Sequence, residues 1–251
     1  MKRLFWIVMG KIARITASLS GHDLVTQNKL RSHDRALRTL MEKEKINIVF
    51  DIGANEGQFY KYLRDKIHYR GLICCVEPTN QPFSVLEAEI KKDKLALAIK
   101  GAIGDSNTDL VINTFQDSAI NSALEPSETG LNRYGETIGK ETVRCQTFDN
   151  LVNHLISTNF LEHNFKAFVK IDTQGFDHAV LSGMKDYLER VQLLQIEASC
   201  IPIYTDMPTY LDTLELLNSL GFNPVSFYPV SRNSNFALVE FDLLSLRNKA
   251  S

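Results

Sequence analysis

The sequence contains little cysteine and no excess of charge of one sign. Only four of its 251 residues are cysteines, and no two of them have CxxC spacing. Cys74 and Cys75 lie in an apolar run, as expected of reduced side chains in a buried strand, which favours a cytoplasmic location. The 28 basic and 30 acidic side chains give a net charge of −2, so no overall positive field predicts a nucleic-acid partner.

Several patterns of known chemistry are also absent. The sequence has no G-x-S-x-G segment, which argues against a serine hydrolase of the α/β-hydrolase kind. Its six histidines are scattered without metal-ligand spacing, and we predict no metal site. The G-x-G-x-x-G fingerprint of dinucleotide-binding enzymes is missing as well, which argues against a bound pyrophosphate.

No run approaches the roughly 20 apolar residues that span a bilayer. Residues 1–21 nevertheless have a pattern of their own, in which basic residues flank an apolar helical face formed by Leu4, Val8, Ile12, Ile15 and Leu19. This pattern predicts an amphipathic helix that lies in a membrane interface. A helix that caps the core or contacts a partner is the alternative. Residues 22–45 are predicted to be a helical lead-in, and residues 46–251 a single domain.

From residue 46 onward, short apolar runs alternate with helical patterns. The runs at 46–50, 72–76, 95–99, 168–171 and 193–196 have the length and composition of buried strands. This alternation predicts a doubly wound α/β fold with a mostly parallel sheet covered by helices on both faces. Two further runs, 224–230 and 236–241, flank a polar Ser-Arg-Asn-Ser segment and predict an antiparallel C-terminal hairpin, which completes a seven-stranded sheet.

A polar stretch from Gln116 to Glu141 interrupts the alternation. Segments with alternating apolar residues flank it, and it contains one proline and three glycines. Loops of this length in compact domains are usually functional or disordered. We predict a loop on the substrate side of the site, which acts there together with the segment Cys200–Met207.

The strongest local signal is a glycine turn after the first strand. Asp51 ends an apolar run, and Gly53 and Gly57 follow, where the missing Cβ atoms let a ligand approach the backbone closely. Exposed amides in such a turn suit an electronegative ligand group. Glu77 ends the second strand, twenty residues after Gly57. Because an acid at that spacing can accept hydrogen bonds from both ribose hydroxyls, the two features predict an adenosine-containing ligand, with its adenine near residues 101–105.

Acidic residues also follow two later strands. Asp172 ends one apolar run, Asp177 lies shortly after it in the segment KIDTQGFD, and Glu197 ends the next run. Since the carboxyl ends of parallel strands meet at one edge of a sheet, these side chains are expected beside the glycine turn. We predict all three as candidate catalytic groups, because carboxylates can orient or deprotonate a reacting group. The same oxygens would also suit Mg²⁺.

The sequence resembles the FkbM family of S-adenosylmethionine-dependent methyltransferases in four motifs that occur in the family's order. They are DIGANEG, VEP, KIDTQGFD followed by VLSG, and QIEAS followed by IY. The resemblance implies a Rossmann-like class I methyltransferase domain that uses S-adenosyl-L-methionine. With the turn and strand-end residues above, the positions expected at the cofactor are Asp51, Gly53, Ala54, Asn55, Gly57, Glu77, Pro78, Ala102, Asp105 and Asp172.

The resemblance implies methyl transfer to a hydroxyl oxygen of a glycan or small molecule, with Asp172 where cofactor and acceptor meet. Two alternatives stay open. A nicotinamide-dependent oxidoreductase could use a similar sheet, although its phosphate-binding fingerprint is missing. A non-catalytic binding module could keep the fold and dock to a membrane enzyme through residues 1–21.

Overall fold

The structure is a computed structural model that describes residues 33–248, together with residues 9, 10, 13, 16 and 19. The strands in this part of the chain are β1 (Ile48–Ile52), β2 (Leu72–Glu77), β3 (Ala96–Lys100), β4 (Ala102–Gly104), β5 (Asp109–Thr114), β6 (Gly139–Thr147), β7 (Ala167–Ile171), β8 (Val191–Ser199), β9 (Phe222–Arg232) and β10 (Leu238–Arg247). The α-helices are α1 (His33–Glu44), α2 (Gln58–Tyr62), α3 (Asn80–Ile90), α4 (Glu128–Tyr134), α5 (Phe148–Ser157), α6 (Asp177–Ser182) and α7 (Tyr210–Ser219).

Seven of the described strands form one sheet in the order β3-β2-β1-β7-β8-β10-β9. The first five are parallel, and β10 is antiparallel to both β8 and β9. This arrangement confirms the predicted doubly wound fold, including the C-terminal hairpin. The strand order reverses between β1 and β7, and in open α/β sheets ligands bind beyond the carboxyl ends of the strands at such a position.

The central strands are apolar on both faces because helices cover both sides of the sheet. Successive side chains of a strand point to opposite faces, and in β1 Val49 and Phe50 enter two different core clusters. Phe50 packs edge-to-face on Phe148 of α5, with ring centroids 4.8 Å apart. Val49 belongs to the cluster on the other face, which includes Leu37 of α1. The exception in β1 is Asp51, which is fully buried and thereby marks the site.

The region predicted as a polar loop from Gln116 to Glu141 is largely ordered structure. It contains a short 3₁₀ turn, Ser118–Ile120, then helix α4, and β6 begins at Gly139. The polar composition does not predict α4, because tertiary contacts rather than an apolar face stabilise this helix. Gly130 lies so close to another segment that a Cβ there would be 2.1 Å from the carbonyl oxygen of Ile203. The expectation of a structureless loop was therefore wrong.

A second, small sheet accompanies this region, in the order β4-β6-β5. Strands β5 and β6 pair antiparallel, as their alternating apolar residues suggest, and β4 pairs parallel with β6. Helix α6 ends at Ser182. Gly183 then passes against β4, where a Cβ would lie 2.1 Å from the Gly104 carbonyl oxygen.

The amphipathic helix predicted over residues 1–21 lies largely outside the described residues. Met9, Gly10, Ala13, Thr16 and Leu19 are described, and all five are helical and exposed. The membrane contact of this segment therefore stays a prediction. No helix in the described part of the chain combines the length and the apolar character needed to cross a bilayer.

Candidate active site

A cavity of about 480 Å³ opens at the carboxyl ends of β1, β2 and β7. Most of the residues predicted at the cofactor line it, namely Asp51, Gly53, Ala54, Asn55, Glu77, Pro78, Ala102 and Asp172. Gly57 and Asp105 do not. Gly57 is buried where α2 begins, whereas Asp105 is exposed and its carboxylate accepts a hydrogen bond from the Ser106 hydroxyl at 2.8 Å. Asp105 is too far toward the surface because β4 continues the chain beyond the cavity wall.

The glycine turn is shaped by its contact with β7. Gly53 has a φ of +81°, and a Cβ there would lie 1.9 Å from the carbonyl oxygen of Asp172. The amides expected to face a ligand are instead used inside the protein. The Gly53 and Ala54 amides both donate to the Val76 carbonyl at 3.0 Å, and the Gly57 amide donates to Ala54 at 2.9 Å. The turn therefore shapes the cavity wall, and the prediction of exposed amides at these positions was wrong.

Glu77 ends β2 with its carboxylate almost completely buried. Its Oε2 accepts the Asn55 amide at 2.9 Å, while Oε1 accepts the Thr79 amide at 2.9 Å and the Thr79 hydroxyl at 2.5 Å. Burial raises the pKa of Glu77, and these hydrogen bonds oppose that shift. A carboxylate accepts about four hydrogen bonds in all, so the free capacity lies on Oε2. The protein thus leaves one acceptor position of Glu77 for the two ribose hydroxyls that it is predicted to bind.

Asp51 and Lys170 form a buried pair between β1 and β7. Asp51 is completely buried, and neither of its oxygens has a hydrogen-bond partner among the described residues. Burial raises the pKa of Asp51 to about 6, although the Lys170 ammonium, 3.7 Å from Oδ1, opposes the shift. Lys170 Nζ also contacts Asp172 Oδ2 at 2.9 Å. Burial alone would lower the pKa of Lys170, but the two carboxylates outweigh it and raise that pKa above its usual range.

Lys170 is the first residue of the KIDTQGFD motif, but it was not predicted as a site residue. Two signals could have identified it. It is a charged residue in the otherwise apolar strand β7, and residues two apart in a strand share a face. Lys170 therefore lies on the same face as Asp172, and both side chains line the cavity. The ammonium also lies 5.3 Å from the ring centroid of Phe59, which is within cation–π range.

Two of the three predicted catalytic carboxylates are brought together by one amide. The Gln174 amide nitrogen donates to Asp172 Oδ1 at 3.0 Å and to Glu197 Oε2 at 2.8 Å. Burial raises the pKa of Glu197 well above its usual value, and the negative charge of Asp172 adds to the effect. The Asp172 side chain remains 31% exposed, so its carboxylate is accessible from the cavity.

Of the three predicted catalytic groups, Asp172 lines the cavity, whereas Glu197 and Asp177 do not. Asp177 is held within the loop after β7. Its Oδ1 accepts both the amide and the hydroxyl of Thr173 at 3.0 Å, and its Oδ2 accepts the Gly175 amide at 3.2 Å. Burial raises the pKa of Asp177 to about 6, against these bonds. The structure gives Asp177 the role of closing the loop after β7 instead of the predicted catalytic one. Sequence position alone could not separate it from Asp172.

One apolar part of the cavity wall was predicted only at Ile103, which lies in the segment 101–105 expected near the adenine. Its other members, Leu110, Ile112, Ala123 and Phe176, come from β5, the interrupting region and the loop after β7. The same region reaches the glycine turn, since the Ser118 hydroxyl donates to Asn55 Oδ1 at 2.8 Å. Among the described residues, no group of three or more His, Cys, Asp or Glu side chains is arranged to hold a metal ion.

Comparison with known families matches residues 51–224, more than half of the chain, to the methyltransferase FkbM domain. The chain belongs to this family. The membership confirms the family predicted from the four motifs, and with it S-adenosyl-L-methionine as the cofactor. No curated protein sequence matches the chain.

Solved structures with a similar topology are distant in sequence. A methyltransferase FkbM from Methylobacillus flagellatus has 12% identity and a TM-score of 0.47, covering 80% of this chain and 43% of its own. Fibrillarin from Aeropyrum pernix, bound to S-adenosyl-L-methionine, has 13% identity and a TM-score of 0.46, with 80% and 66% covered. Magnesium protoporphyrin IX methyltransferase from Synechocystis has 10% identity and a TM-score of 0.45, with 86% and 80% covered. The chain thus spans less than half of the first of these proteins and about two thirds of the second.

Proposed function

We propose that this methyltransferase acts on a hydroxyl oxygen of a small molecule or glycan, with Asp172 as the group that receives the hydroxyl proton. The observation that carries the proposal is the state of the Asp172 carboxylate. Lys170 holds one of its oxygens and Gln174 the other, yet the side chain is still 31% exposed beside the cavity. A carboxylate that is fixed and accessible can act as a general base.

The residues around the cavity suit S-adenosyl-L-methionine. Asp51 has two buried oxygens that accept no hydrogen bond from the described residues, so a cationic ligand group would supply the missing partner. Glu77 Oε2 can accept one ribose hydroxyl, and the apolar wall around Ile103 suits an adenine ring. The cavity volume of about 480 Å³ lies within the range of small-molecule sites, roughly 300–1,000 Å³.

The chain itself would contribute positioning and proton removal. When bound, S-adenosyl-L-methionine supplies an already activated methyl group, so alignment of the acceptor contributes much of the rate. Asp172 would accept the hydroxyl hydrogen of the acceptor, orient the oxygen, and take the proton as the oxygen reacts. Lys170 and Gln174 would keep the carboxylate in place during that transfer.

The acceptor would be selected by the region Gln116–Glu141, which contributes Ser118, Ala119, Asn121 and Ala123 to the cavity wall. The segment Cys200–Met207 would act through its contact with this region, where the Ser127 amide donates to the Ile203 carbonyl at 3.0 Å. We also propose that the enzyme is cytoplasmic and contacts a membrane surface through residues 1–21. Sedimentation of the full chain with anionic vesicles, compared with a chain lacking those residues, would test this contact.

The function is tested by replacing Asp172 and measuring binding and turnover separately. Asp172→Asn keeps the shape but removes the charge, so affinity for S-adenosyl-L-methionine should change little. Turnover with a panel of hydroxylated acceptors should fall by about 10²–10⁴, the usual contribution of positioned proton transfer. Asp105→Asn, at an exposed carboxylate away from the cavity, is the matched control.

Near-normal turnover of Asp172→Asn would remove Asp172 from the mechanism. Calorimetry with S-adenosyl-L-methionine, its demethylated product and NAD tests the alternative classes on the same protein. Binding of NAD alone would favour an oxidoreductase, and binding of none of the three would favour a non-catalytic module.

A further inference from the structure

Gln174 holds an unusual position in the site, because its single amide group connects two carboxylates. Both hydrogens of Nε2 are used, one toward Asp172 Oδ1 at 3.0 Å and one toward Glu197 Oε2 at 2.8 Å. Ionised carboxylates only accept hydrogen bonds, so the amide nitrogen must face them and the amide oxygen must point away. The oxygen lies 3.1 Å from the hydroxyl of Tyr204, whose single hydrogen also faces the Ile120 carbonyl at 2.7 Å.

The backbone of Gln174 is fixed as firmly as its side chain. Its φ is +52°, an uncommon conformation for a residue with a Cβ, and its carbonyl accepts the Ser122 hydroxyl at 2.6 Å. The residue is 9% exposed. Partners from the interrupting region and from the segment after β8 therefore converge on this one residue. Such strained conformations persist where the surroundings determine them, and they cluster at functional sites.

We infer that Gln174 is a positioning residue for methyl transfer, which fixes Asp172 Oδ1 and holds Glu197 beside it. This inference rests on the proposed function of Asp172. Lys170 fixes the other oxygen of Asp172, so the two contacts together determine the plane of the carboxylate. The second N–H of Gln174 offsets part of the repulsion that would otherwise drive Asp172 and Glu197 apart. Gln174 also lines the cavity, and both of its side-chain N–H bonds point to these carboxylates.

Several other ionisable groups lie near the two carboxylates, and they enter the interpretation of any titration. Burial and like charges raise the pKa of most of the acidic ones. These groups are Lys170 from β7, Asp177 from α6, Glu240 and Asp242 from β10, Tyr134 from α4, and Tyr204 from the segment after β8.

The test is a pH titration of the side-chain carboxyl carbons by ¹³C NMR, on the full chain. Gln174→Met has a similar length but no N–H group. Losing a hydrogen bond to the charged form raises a pKa, so the titration midpoint of Glu197 should rise by about one pH unit. The Glu197→Gln spectrum assigns the signal. Gln192→Met is the matched control, because the Gln192 amide donates to the Glu189 carbonyl at 3.1 Å, outside the site.

Gln174→Asn provides a second variant if Gln174→Met does not fold. Its amide is one methylene shorter and cannot reach Glu197 while it contacts Asp172, so the Glu197 midpoint should still rise. Affinity for S-adenosyl-L-homocysteine should stay within about threefold of the wild type in each Gln174 variant, since a positioning residue does not hold the cofactor.

The outcomes separate the inference from the proposed function. An unchanged Glu197 midpoint in a folded Gln174 variant would overturn the positioning role, even if the protein binds S-adenosyl-L-homocysteine normally. Greatly weakened binding would also overturn it, because Gln174 would then belong to the cofactor site. If the wild-type chain bound neither S-adenosyl-L-methionine nor S-adenosyl-L-homocysteine, the proposed function itself would fail, whatever the titrations showed.

Discussion

The two sides of the cavity are held together by different kinds of contact. On the donor side, formed by the loop after β1 and the end of β2, the Glu77 carboxylate accepts backbone amides from both flanking loops. On the acceptor side, formed by the loop after β7 and the end of β8, side chains contact side chains, as Gln174 joins Asp172 to Glu197. The donor side thus relies on backbone donors and the acceptor side on side-chain donors, while the sequence separations are similar, 22 residues for Asn55 and Glu77 and 23 for Gln174 and Glu197.

The outer part of the acceptor side adds backbone contacts between two segments that are distant in sequence. The Ser127 amide donates to the Ile203 carbonyl at 3.0 Å, and the Thr205 amide donates to the Glu125 carbonyl at 2.8 Å. A separate small cluster of apolar side chains, which includes Tyr204, packs beneath them. A change on this side should therefore leave the donor side intact, and the predictions below test that separation.

The largest effect is expected for Gly53→Ala on the donor side. A Cβ at this position would lie 1.9 Å from the Asp172 carbonyl oxygen, and the φ of +81° disfavours any side chain. Overpacking and strain together should lower the free energy of unfolding by about 3 kcal/mol. The displaced turn should weaken binding of S-adenosyl-L-methionine by more than about 100-fold, as measured by calorimetry.

Gly135→Ala is the matched control for this change. Gly135 has nearly the same φ, +82°, but a Cβ there would meet no atom within 4 Å. It should cost only the conformational strain, about 1–2 kcal/mol, and leave cofactor affinity unchanged. Equal losses of cofactor affinity in the two variants would contradict the role assigned to the contact between Gly53 and β7.

The donor side could be predicted from the sequence because its signals are local. An apolar run, a glycine turn and an acid twenty residues later are close enough in the chain to be read directly, and Asp51, Gly53 and Glu77 all line the cavity. The sequence does not show which polar groups are already hydrogen-bonded within the protein. The amides of the turn and both oxygens of Glu77 already have protein partners, and this depends on the paths of β2 and its following loop.

The acceptor side could be predicted only in part. The motif around Asp172 placed it correctly, because it ends an apolar strand. Helix α4 was missed, since Gly130 packs against residue 203 and no periodic apolar face announces such a contact. The difference between Asp172 and Asp177 was missed for a similar reason. Both are acids near one strand end, and only the folded loop shows that the Asp177 carboxylate is used to close it.

A second prediction concerns Glu77 on the donor side. Glu77→Ala should weaken binding of S-adenosyl-L-methionine at least tenfold, because a hydrogen bond to a charged group contributes about 1.5–3 kcal/mol. The free energy of unfolding should also fall by about 1–3 kcal/mol, since the amides of Asn55 and Thr79 lose their acceptor. Calorimetry and denaturant titration measure the two effects.

Thr79→Val is the control for Glu77→Ala. It removes the hydroxyl that donates to Glu77 Oε1 but leaves Oε2 and the charge in place. It should lower stability with little loss of cofactor affinity. If Glu77→Ala bound S-adenosyl-L-methionine as tightly as the wild type, the ribose contact would be wrong.

A third prediction concerns pH and the buried Asp51. Its pKa of about 6 means that the carboxylate must lose a proton before it can pair with a cationic ligand group. Affinity for S-adenosyl-L-methionine should therefore rise by about tenfold from pH 5 to pH 7, and Asp51→Asn should flatten this dependence. S-adenosyl-L-homocysteine keeps the ammonium but lacks the sulfonium charge, so its pH profile shows which cation faces Asp51.

The unliganded chain should show the opposite trend in stability. A carboxyl group whose pKa is higher in the folded state than in the unfolded state binds its proton more tightly when folded. Its contribution to stability is therefore lost as the pH rises from about 4 to about 6. Asp177 and Asp242, whose pKa values burial also raises to about 6, add to this trend. A flat stability profile over this range would contradict the burial of these charges.

The smallest effect on cofactor binding is expected for Gly130→Ala, on the acceptor side. Alanine in place of glycine normally favours a helix by about 1 kcal/mol, so a simple helix propensity would make this variant more stable. Here a Cβ would lie 2.1 Å from the Ile203 carbonyl oxygen, and that atom belongs to the backbone and cannot rotate away. Overpacking should outweigh propensity and lower the free energy of unfolding by about 1–3 kcal/mol.

Hydrogen exchange at the Ser127 and Thr205 amides should become faster, because α4 must move away from the segment it contacts. Affinity for S-adenosyl-L-methionine should stay within about threefold of the wild type, and the Gly53 and Ala54 amides should keep their protection. Gly139→Ala, where a Cβ would lie 3.2 Å from the Thr114 hydroxyl, is the milder control in the same region. If Gly130→Ala weakened cofactor binding as much as Gly53→Ala does, the two sides of the cavity would be coupled, and the acceptor side would have to be treated as part of the cofactor site.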